Sequence, residues 1–303
     1  MEKILISTGN GMFGKALATE LLKKKIAIRL MVRDKSKCAI KDPLAEIVTG
    51  DMDKPETLTP VMDGISGLYL SSPMDPRLAQ REIAMINIAR DAGVKHLVKV
   101  FGAVRHEGDV LDQSHRAVLE IMKASGIPWT MVSPNSVMET SLVSYQPSIQ
   151  YMHAIYGMSG KGKVGLVALR DIAEISALSL ITHGHDEKNY EITGPASLDM
   201  AQVAAVFSEV LGKKIDYIDK AEEAFAKMLL KFDKTQTPEN LDLNVLCHLR
   251  AWKNGKADLV TDTFEQLTGH KPTSLAEFVR DNKTFFSKGM VPYPFAYMMR
   301  WFS

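Results

Sequence analysis

Short apolar segments alternate with amphipathic segments through the first half of the chain. Six apolar segments have the length of β-strands, and they lie at about 4–6, 26–32, 45–48, 68–70, 97–100 and 129–132. Segments with helical spacing of apolar residues fall between the later ones, at about 80–91 and 114–125. Strands that are apolar on both faces and alternate with helices are typical of a parallel sheet covered on both sides. The pattern therefore predicts an α/β fold with a doubly wound parallel sheet of the Rossmann type.

The first predicted strand runs directly into three glycines at G-x-G-x-x-G spacing, Gly9, Gly11 and Gly14. The first permits a tight turn, the second lets the backbone approach a pyrophosphate, and the third lets the next helix pack closely on the sheet. The N-terminus of that helix then faces the phosphates. This context predicts a dinucleotide site. The loop residues expected to bind the cofactor are Thr8, Gly9, Asn10, Gly11, Met12, Phe13 and Gly14.

The second predicted strand ends at Arg33, nineteen residues after Gly14. Enzymes that use a dinucleotide without a 2′-phosphate usually place a carboxylate here, whereas a guanidinium can bind a phosphate through two hydrogen bonds. Lys37 offers a second cation. These residues favour NADPH over NADH, and a solvated basic loop is the alternative because Asp34 is adjacent.

Further cofactor contacts are expected where the other strands end, since ligands of such sheets lie beyond the carboxyl ends of the strands. Asp51 can accept the adenine amino group with Met52 against the ring, although a turn-forming Asp is the alternative. Asn135 can reach the nicotinamide amide. The remaining predicted contacts are Ser71, Ser72, Pro73, Phe101, Gly102 and Ser133.

The pattern changes near residue 195, beyond which helices predominate. They are predicted at about 199–211, 221–231, 258–268 and 275–286. We expect an NAD(P)-binding Rossmann domain over 1–135, with a return strand near 164–194. A smaller, mostly helical substrate-binding lobe would comprise 136–163 and 195–303.

The amino-acid composition excludes several classes of ligand and partner. The 37 basic and 36 acidic residues give a net charge of +1, which offers no field to gather nucleic acid. Cys38 and Cys247 lie far apart and lack metal-ligand spacing, which argues against a disulfide framework and a zinc site. We expect no metal, no integral membrane segment and a cytoplasmic location, because neither a signal peptide nor a membrane-length apolar run is found. The apolar tail from Met290 to Ser303 is expected to dock on its own domain or join a homodimer, and the alternatives are that it caps the substrate pocket or rests on a membrane surface.

Several short segments resemble the NmrA-like branch of the atypical short-chain dehydrogenases/reductases, from residue 4 to about 285. Besides the glycine loop they are Val32-Arg33, Gly50-Asp51, Ala92-Gly-Val-Lys-His-Leu-Val98, Ser125-Gly-Ile-Pro-Trp-Thr130, Ser133-Pro-Asn135, Arg170-Asp-Ile-Ala173, Tyr190-Glu-Ile-Thr-Gly-Pro195 and Phe264-Glu-Gln-Leu-Thr-Gly269. Members include NADPH-dependent quinone and azo reductases, isoflavone-reductase-like enzymes and catalytically silent NADP sensors. Two features depart from the family: the glycine loop is one residue shorter than the commoner G-x-x-G-x-x-G, and Ser133 stands where many members have Arg.

The usual proton donor of short-chain dehydrogenases is missing, because no Tyr is followed by Lys four residues later. The resemblance places His115 where isoflavone-reductase-like members carry a catalytic Lys and quinone-reductase-like members have His. An imidazole there can protonate a carbonyl oxygen or orient the substrate. A surface or capping neighbour is the alternative.

The predicted substrate is a small apolar or aromatic molecule, since Met and aromatic side chains suit flat hydrophobic ligands. The expected substrate residues are Phe101, Met138, Tyr151, Tyr156 and Met158, and a stripe of core residues is the alternative. The sequence thus favours an NADPH-dependent oxidoreductase that transfers hydride to an apolar aromatic, quinone-like or enone/carbonyl acceptor. The alternatives are a catalytically silent NADP(H)-sensing regulatory protein and a nucleotide-sugar epimerase-like enzyme.

Overall fold

The structure, a computed structural model, describes residues 3–102 and 110–291. Its chain divides into two compact units. Of the described residues, unit 1 contains 3–102, 110–134 and 169–191, and unit 2 contains 135–168 and 192–291. Each unit has its own core.

The strands of the described chain are β1 (Lys3–Ile6), β2 (Ile28–Val32), β3 (Ala45–Thr49), β4 (Ile65–Leu70), β5 (His96–Val100), β6 (Trp129–Pro134), β7 (Ser136–Val137), β8 (Ala154–Gly157), β9 (Lys163–Val164), β10 (Leu166–Val167), β11 (Lys188–Ile192), β12 (Leu198–Asp199) and β13 (Asp216–Asp219). Unit 1 is built on a seven-stranded sheet with the order β3-β2-β1-β4-β5-β6-β11. The pairs from β3 through β6 are all parallel. The strand order therefore reverses between β1 and β4.

Helices cover both faces of this sheet. The helices of the described chain are α1 (Met12–Lys23), α2 (Leu78–Asp91), α3 (Val110–Ala124), α4 (Met138–Ser141), α5 (Gln146–Met152), α6 (Leu169–Ile181), α7 (Met200–Leu211), α8 (Glu222–Phe232), α9 (Pro238–Leu241), α10 (Cys247–Lys253), α11 (Thr263–Thr268), α12 (Leu275–Asp281) and α13 (Lys283–Ser287). One layer is formed by α1 with α6, and the other by α2 with α3. Every residue of β2 is buried, as expected for a strand with helices on both sides. The predicted doubly wound fold class is confirmed.

Unit 2 packs helices around three short two-stranded ladders, β7 with β10, β8 with β13 and β9 with β12. Its α7 lies against α12 and α13, where the rings of Phe207 and Phe286 meet edge to face with centroids 4.9 Å apart. Both side chains are fully buried.

Two helix predictions are wrong at their boundaries. The helix predicted at 258–268 begins only at Thr263, because the backbone before it is held in a loop by the hydrogen bond from Thr261 N to Thr193 Oγ1. The helix predicted at 275–286 is broken at Asn282, whose side chain donates to the carbonyl of Phe278.

Candidate functional site

The loops after β1 and β4 lie where the strand order reverses, which is the place where dinucleotides bind in open parallel sheets. Hydrogen bonds connect the two loops. Ser7 Oγ donates to Ser71 O at 2.7 Å, Ser71 N donates to Ser7 Oγ at 3.0 Å, and the hydroxyls of Thr8 and Ser71 are paired. The two loops are therefore fixed to each other by hydrogen bonds within unit 1.

The glycine loop has no room for larger residues at two of its three glycines. A Cβ on Gly9 would lie 2.9 Å from Leu30 Cβ, and a Cβ on Gly14 would lie 2.0 Å from Thr8 O. Gly11 is the N-cap of α1 and has no side chain to cap the helix, so backbone N–H groups of the first turn stay available for an anion. Asn10 Oδ1 is buried in this loop and finds no hydrogen-bond partner among the described residues.

The loop after β2 presents Arg33 to solvent. Arg33 makes no hydrogen bond or ion pair with the part of the chain that the structure describes. Asp34 instead caps the following turn: its carboxylate accepts from Ser36 Oγ at 2.7 Å and Ser36 N at 2.9 Å, which lowers its pKa, and Lys37 Nζ lies 3.7 Å away. Asp34 is thus engaged within its own turn, and the Arg33 guanidinium is left for a ligand.

The loop after β3 uses Asp51 to form a turn, since its carboxylate accepts from Asp53 N at 3.1 Å. Met52 is buried in the core of unit 1. Asp53 makes a two-pronged ion pair with Arg81 of α2, which also contacts Asp75 beyond β4. This arrangement ties the loops after β3 and β4 to the same helix.

The side chains at the end of β6 are engaged inside the protein. Ser133 Oγ donates to Asn189 Oδ1 at 2.6 Å. Asn135 Nδ2 donates to Ala257 O at 3.0 Å, and its Oδ1 accepts from Ser136 N. These contacts favour a structural role for Ser133 and Asn135.

The ring of His115, on α3, packs against Phe101 at the end of β5, with centroids 4.6 Å apart. Next to Phe101, an added Cβ on Gly102 would meet no atom of the described residues within 4 Å. His115 is 6% exposed, and its Nδ1 is buried without a partner among the described residues. Burial and the nearby Lys99 charge lower the pKa of His115 to about 3. His115 is therefore a neutral imidazole near pH 7, which suits it to orient a ligand by hydrogen bonding rather than to give up a proton as an imidazolium.

This protonation state predicts an acid-sensitive contribution to stability. Because the pKa in the folded state, about 3, lies below the ordinary value of 6.5, the unfolded state binds more protons at pH values between the two. The contribution is complete above pH 6.5 and is lost as the pH falls towards 3. Between pH 7 and 5 it amounts to about 2 kcal/mol of the free energy of unfolding.

Denaturant titration at both pH values checks this expectation. The free energy of unfolding of His115→Gln should fall by about 2 kcal/mol less than that of the wild type. His183→Gln, which removes an exposed histidine, is the control. Equal losses in wild type and His115→Gln would contradict a neutral, buried His115.

With this geometry in place, the chain can be compared with known proteins. A family model described as NAD(P)H-binding matches residues 9–173. The chain belongs to this family. The NAD(P)H azoreductase of Xenophilus azovorans is 30% identical over 296 residues, which cover 93% of this chain and 99% of that protein.

Two further comparisons concern quinone oxidoreductase 2 of Escherichia coli. It is 27% identical to this chain, with 91% of this chain and 97% of that protein covered. Its structure in complex with NADPH superimposes with a TM-score of 0.81 at 25% identity, and covers 92% of this chain and 99% of that one. The resemblance to the atypical short-chain dehydrogenases/reductases is confirmed.

The residues of unit 1 fit an NAD(P)H cofactor. The uncapped start of α1 can hold the pyrophosphate, Asn10 Oδ1 is a buried acceptor with no donor among the described residues, and the glycine positions keep side chains out of the cradle. The prediction of an NAD(P)H-binding protein is confirmed.

The predicted substrate residues divide between the two units. Phe101 belongs to unit 1. In unit 2, Met138, Tyr156 and Met158 are buried in the core cluster, whereas Tyr151 on α5 is 48% exposed. The burial of the first three favours the core interpretation of this stripe.

The charged residues of α2 and β5 that lie beside these loops were not predicted from the sequence. Ser72 Oγ donates to Glu82 Oε1 at 2.9 Å, and Glu82 forms a buried ion pair with Lys99. One feature of the sequence did point to this buried ion pair: a lysine, Lys99, interrupts the otherwise apolar segment from Leu97 to Val100.

Most of the apolar tail, residues 292–303, lies outside the described residues. The docking of this tail, the homodimer and the cytoplasmic location stay predictions. Within residues 3–102 and 110–291, no cluster of His, Cys, Asp and Glu side chains is suited to a metal ion. In the same ranges no helix combines the length and apolar character needed to span a bilayer.

Proposed function

We propose that this chain is an oxidoreductase that uses NADPH to reduce a flat, apolar, quinone-like acceptor. The observation that carries the proposal is the combination of a cradle for a dinucleotide with Arg33 at the end of β2, which makes no hydrogen bond or ion pair with the described residues. The names of two relatives, an NAD(P)H azoreductase and a quinone oxidoreductase, support the choice of acceptor class.

The cofactor would lie across the reversal of strand order. The first turn of α1 binds the pyrophosphate, and Arg33 binds the 2′-phosphate of the adenine ribose. The other half of the crevice, beyond β4 and β5, receives the nicotinamide end. When bound there, NADPH supplies the hydride from its nicotinamide ring.

The side chains beyond β5 suit an acceptor that needs little proton assistance. The neutral imidazole of His115 can donate one hydrogen bond to a carbonyl oxygen, and Phe101 gives an apolar surface beside it. Neither is an acid near pH 7. Quinones and azo compounds accept hydride readily, so solvent can provide the proton after reduction.

Because neither His115 nor Phe101 is an acid near pH 7, a second candidate function is also supported. A protein that binds NADP(H) without turnover, and reports on it to a partner, needs the cradle and Arg33 but no proton donor. The nucleotide-sugar epimerase alternative gains no support, because its chemistry relies on the absent Tyr/Lys pair.

Steady-state oxidation of NADPH with a panel of acceptors tests the proposal. We expect kcat/KM for a benzoquinone or naphthoquinone to exceed that for an unactivated ketone by at least 100-fold, since general acid catalysis contributes about 100- to 10,000-fold. Tight NADPH binding with no turnover on any quinone, azo dye or enone would contradict the reductase and favour the sensor.

A further inference from the structure

A complete ion pair is buried beneath the loops after β4 and β5. Lys99 of β5 and Glu82 of α2 are each 1% exposed, and they contact each other directly. The second carboxylate oxygen of Glu82 accepts a hydrogen bond from Ser72 at 2.9 Å. Glu82 is thereby held by residues at the ends of two neighbouring strands.

A buried ion pair fills the core at a higher cost in free energy than apolar side chains would. Removing two charges from water costs several kcal/mol per ion, and buried ion pairs can often be replaced by apolar side chains without loss of stability. The neighbouring residues of β5, Leu97 and Val98, are apolar and fully buried, so an apolar side chain would suit position 99 as well. Stability alone therefore does not account for Lys99.

The ion pair lies next to the predicted catalytic histidine. Lys99 is two residues before Phe101, whose ring packs on His115, and its charge acts on the imidazole. Of the two ring nitrogens of His115, only Nδ1 is both fully buried and without a partner in the described structure.

Several other charged residues described on α2 and α3 are already paired. On its own helix, Asp112 accepts from Arg116 at 2.7 Å. On α2, which packs against that helix, Arg81 is bound to Asp53 and Asp75, and Glu82 is bound to Lys99. Among the described neighbours, Lys99 is the positive charge that lowers the pKa of His115.

We propose that Lys99 is a positioning residue that fixes His115 as the neutral tautomer with its proton on Nε2. A buried ammonium favours a bare lone pair over an N–H at the buried Nδ1. Glu82 and Ser72 keep the ammonium in place. The proton on Nε2 is then the donor for the acceptor oxygen, a role that rests on the proposed function, whereas the tautomer does not.

The tautomer is read from ¹⁵N chemical shifts of the His115 ring at pH 7, in protein with ¹⁵N-labelled histidine. The wild type should show a protonated Nε2 and a bare Nδ1. In Lys99→Met the carboxylate of Glu82 loses its cation, so the ring should become protonated at Nδ1, as the other tautomer or as an imidazolium. Lys99→Arg keeps the charge and should restore the wild-type spectrum.

A second variant keeps the proposal testable if Lys99→Met does not fold. Lys99→Met/Glu82→Gln removes both charges together, and the ring should then populate both tautomers. A wild-type ring protonated at Nδ1, or a wild-type His115 spectrum in folded Lys99→Met or in the folded double variant, would overturn the proposal. Because these shifts are measured without substrate, the proposal can be decided even if the chain reduces no quinone.

Steady-state kinetics distinguish a positioning role of Lys99 from a role in packing alone. With a quinone acceptor, Lys99→Met should raise KM about tenfold, the effect of losing one neutral hydrogen bond, and leave the Kd for NADPH unchanged. In a His115→Ala background the same substitution should have no further effect. Independent, additive effects of the two substitutions would contradict a role that acts through His115.

Discussion

Gly11→Val is expected to abolish binding of NADPH and NADH alike while the protein keeps its fold. A Cβ at Gly11 would meet Thr8 at 3.2 to 3.4 Å, a distance that a shift of a few tenths of an ångström relieves. The isopropyl group would nevertheless stand at the N-terminus of α1, where the pyrophosphate must approach the backbone. Losing two charge-assisted hydrogen bonds weakens binding by at least about 100-fold.

Calorimetric titration measures the binding of both cofactors to Gly11→Val, and thermal unfolding shows whether the variant keeps its fold. Lys15→Val places the same side chain at an exposed position of α1 and is the matched control. A folded Gly11→Val protein that binds NADPH like the wild type would contradict the placement of the cofactor on this loop.

Arg33→Ala should weaken NADPH binding by about 10- to 100-fold and leave NADH binding nearly unchanged. The guanidinium is exposed and makes no hydrogen bond or ion pair with other described residues, so its removal costs the fold little. The loss corresponds to about 1.5–3 kcal/mol for hydrogen bonds to a charged phosphate. Dissociation constants for the two cofactors, measured at one ionic strength, give the ratio directly.

Lys35→Ala is the control for a general loss of positive charge, because Lys35 is exposed in the same turn. It should change the affinity for NADPH by much less than Arg33→Ala does. Equal losses of NADPH and NADH affinity in Arg33→Ala would show that Arg33 does not distinguish the 2′-phosphate.

The features predicted best from the sequence depend on contacts between neighbours in the chain. The six parallel strands of unit 1 stand where apolar segments predicted them, since burial on both faces leaves a local signature. The glycine loop was also predictable, because its signal is the spacing of glycines that lie close together in the chain. The crowding at Gly9 and Gly14 supports the predicted reasons for the first and third glycines.

The features that sequence could not supply depend on distant residues. The loop before Thr263 is held by Thr193, and Ser133 is bound by Asn189, so neither could be read from its own neighbourhood. The state of His115 depends on its burial and on Lys99. The partner of Lys99 is Glu82, which the sequence alone offered no reason to choose.

The central claim is that bound NADPH is consumed by reducing a quinone-like acceptor. Its most direct test is anaerobic reaction of the purified protein with NADPH and a naphthoquinone, with oxidised cofactor and hydroquinone both quantified. We expect equal amounts of the two products, formed catalytically by the wild type and not by Gly11→Val. Wild-type protein that binds NADPH but forms hydroquinone no faster than Gly11→Val would contradict it.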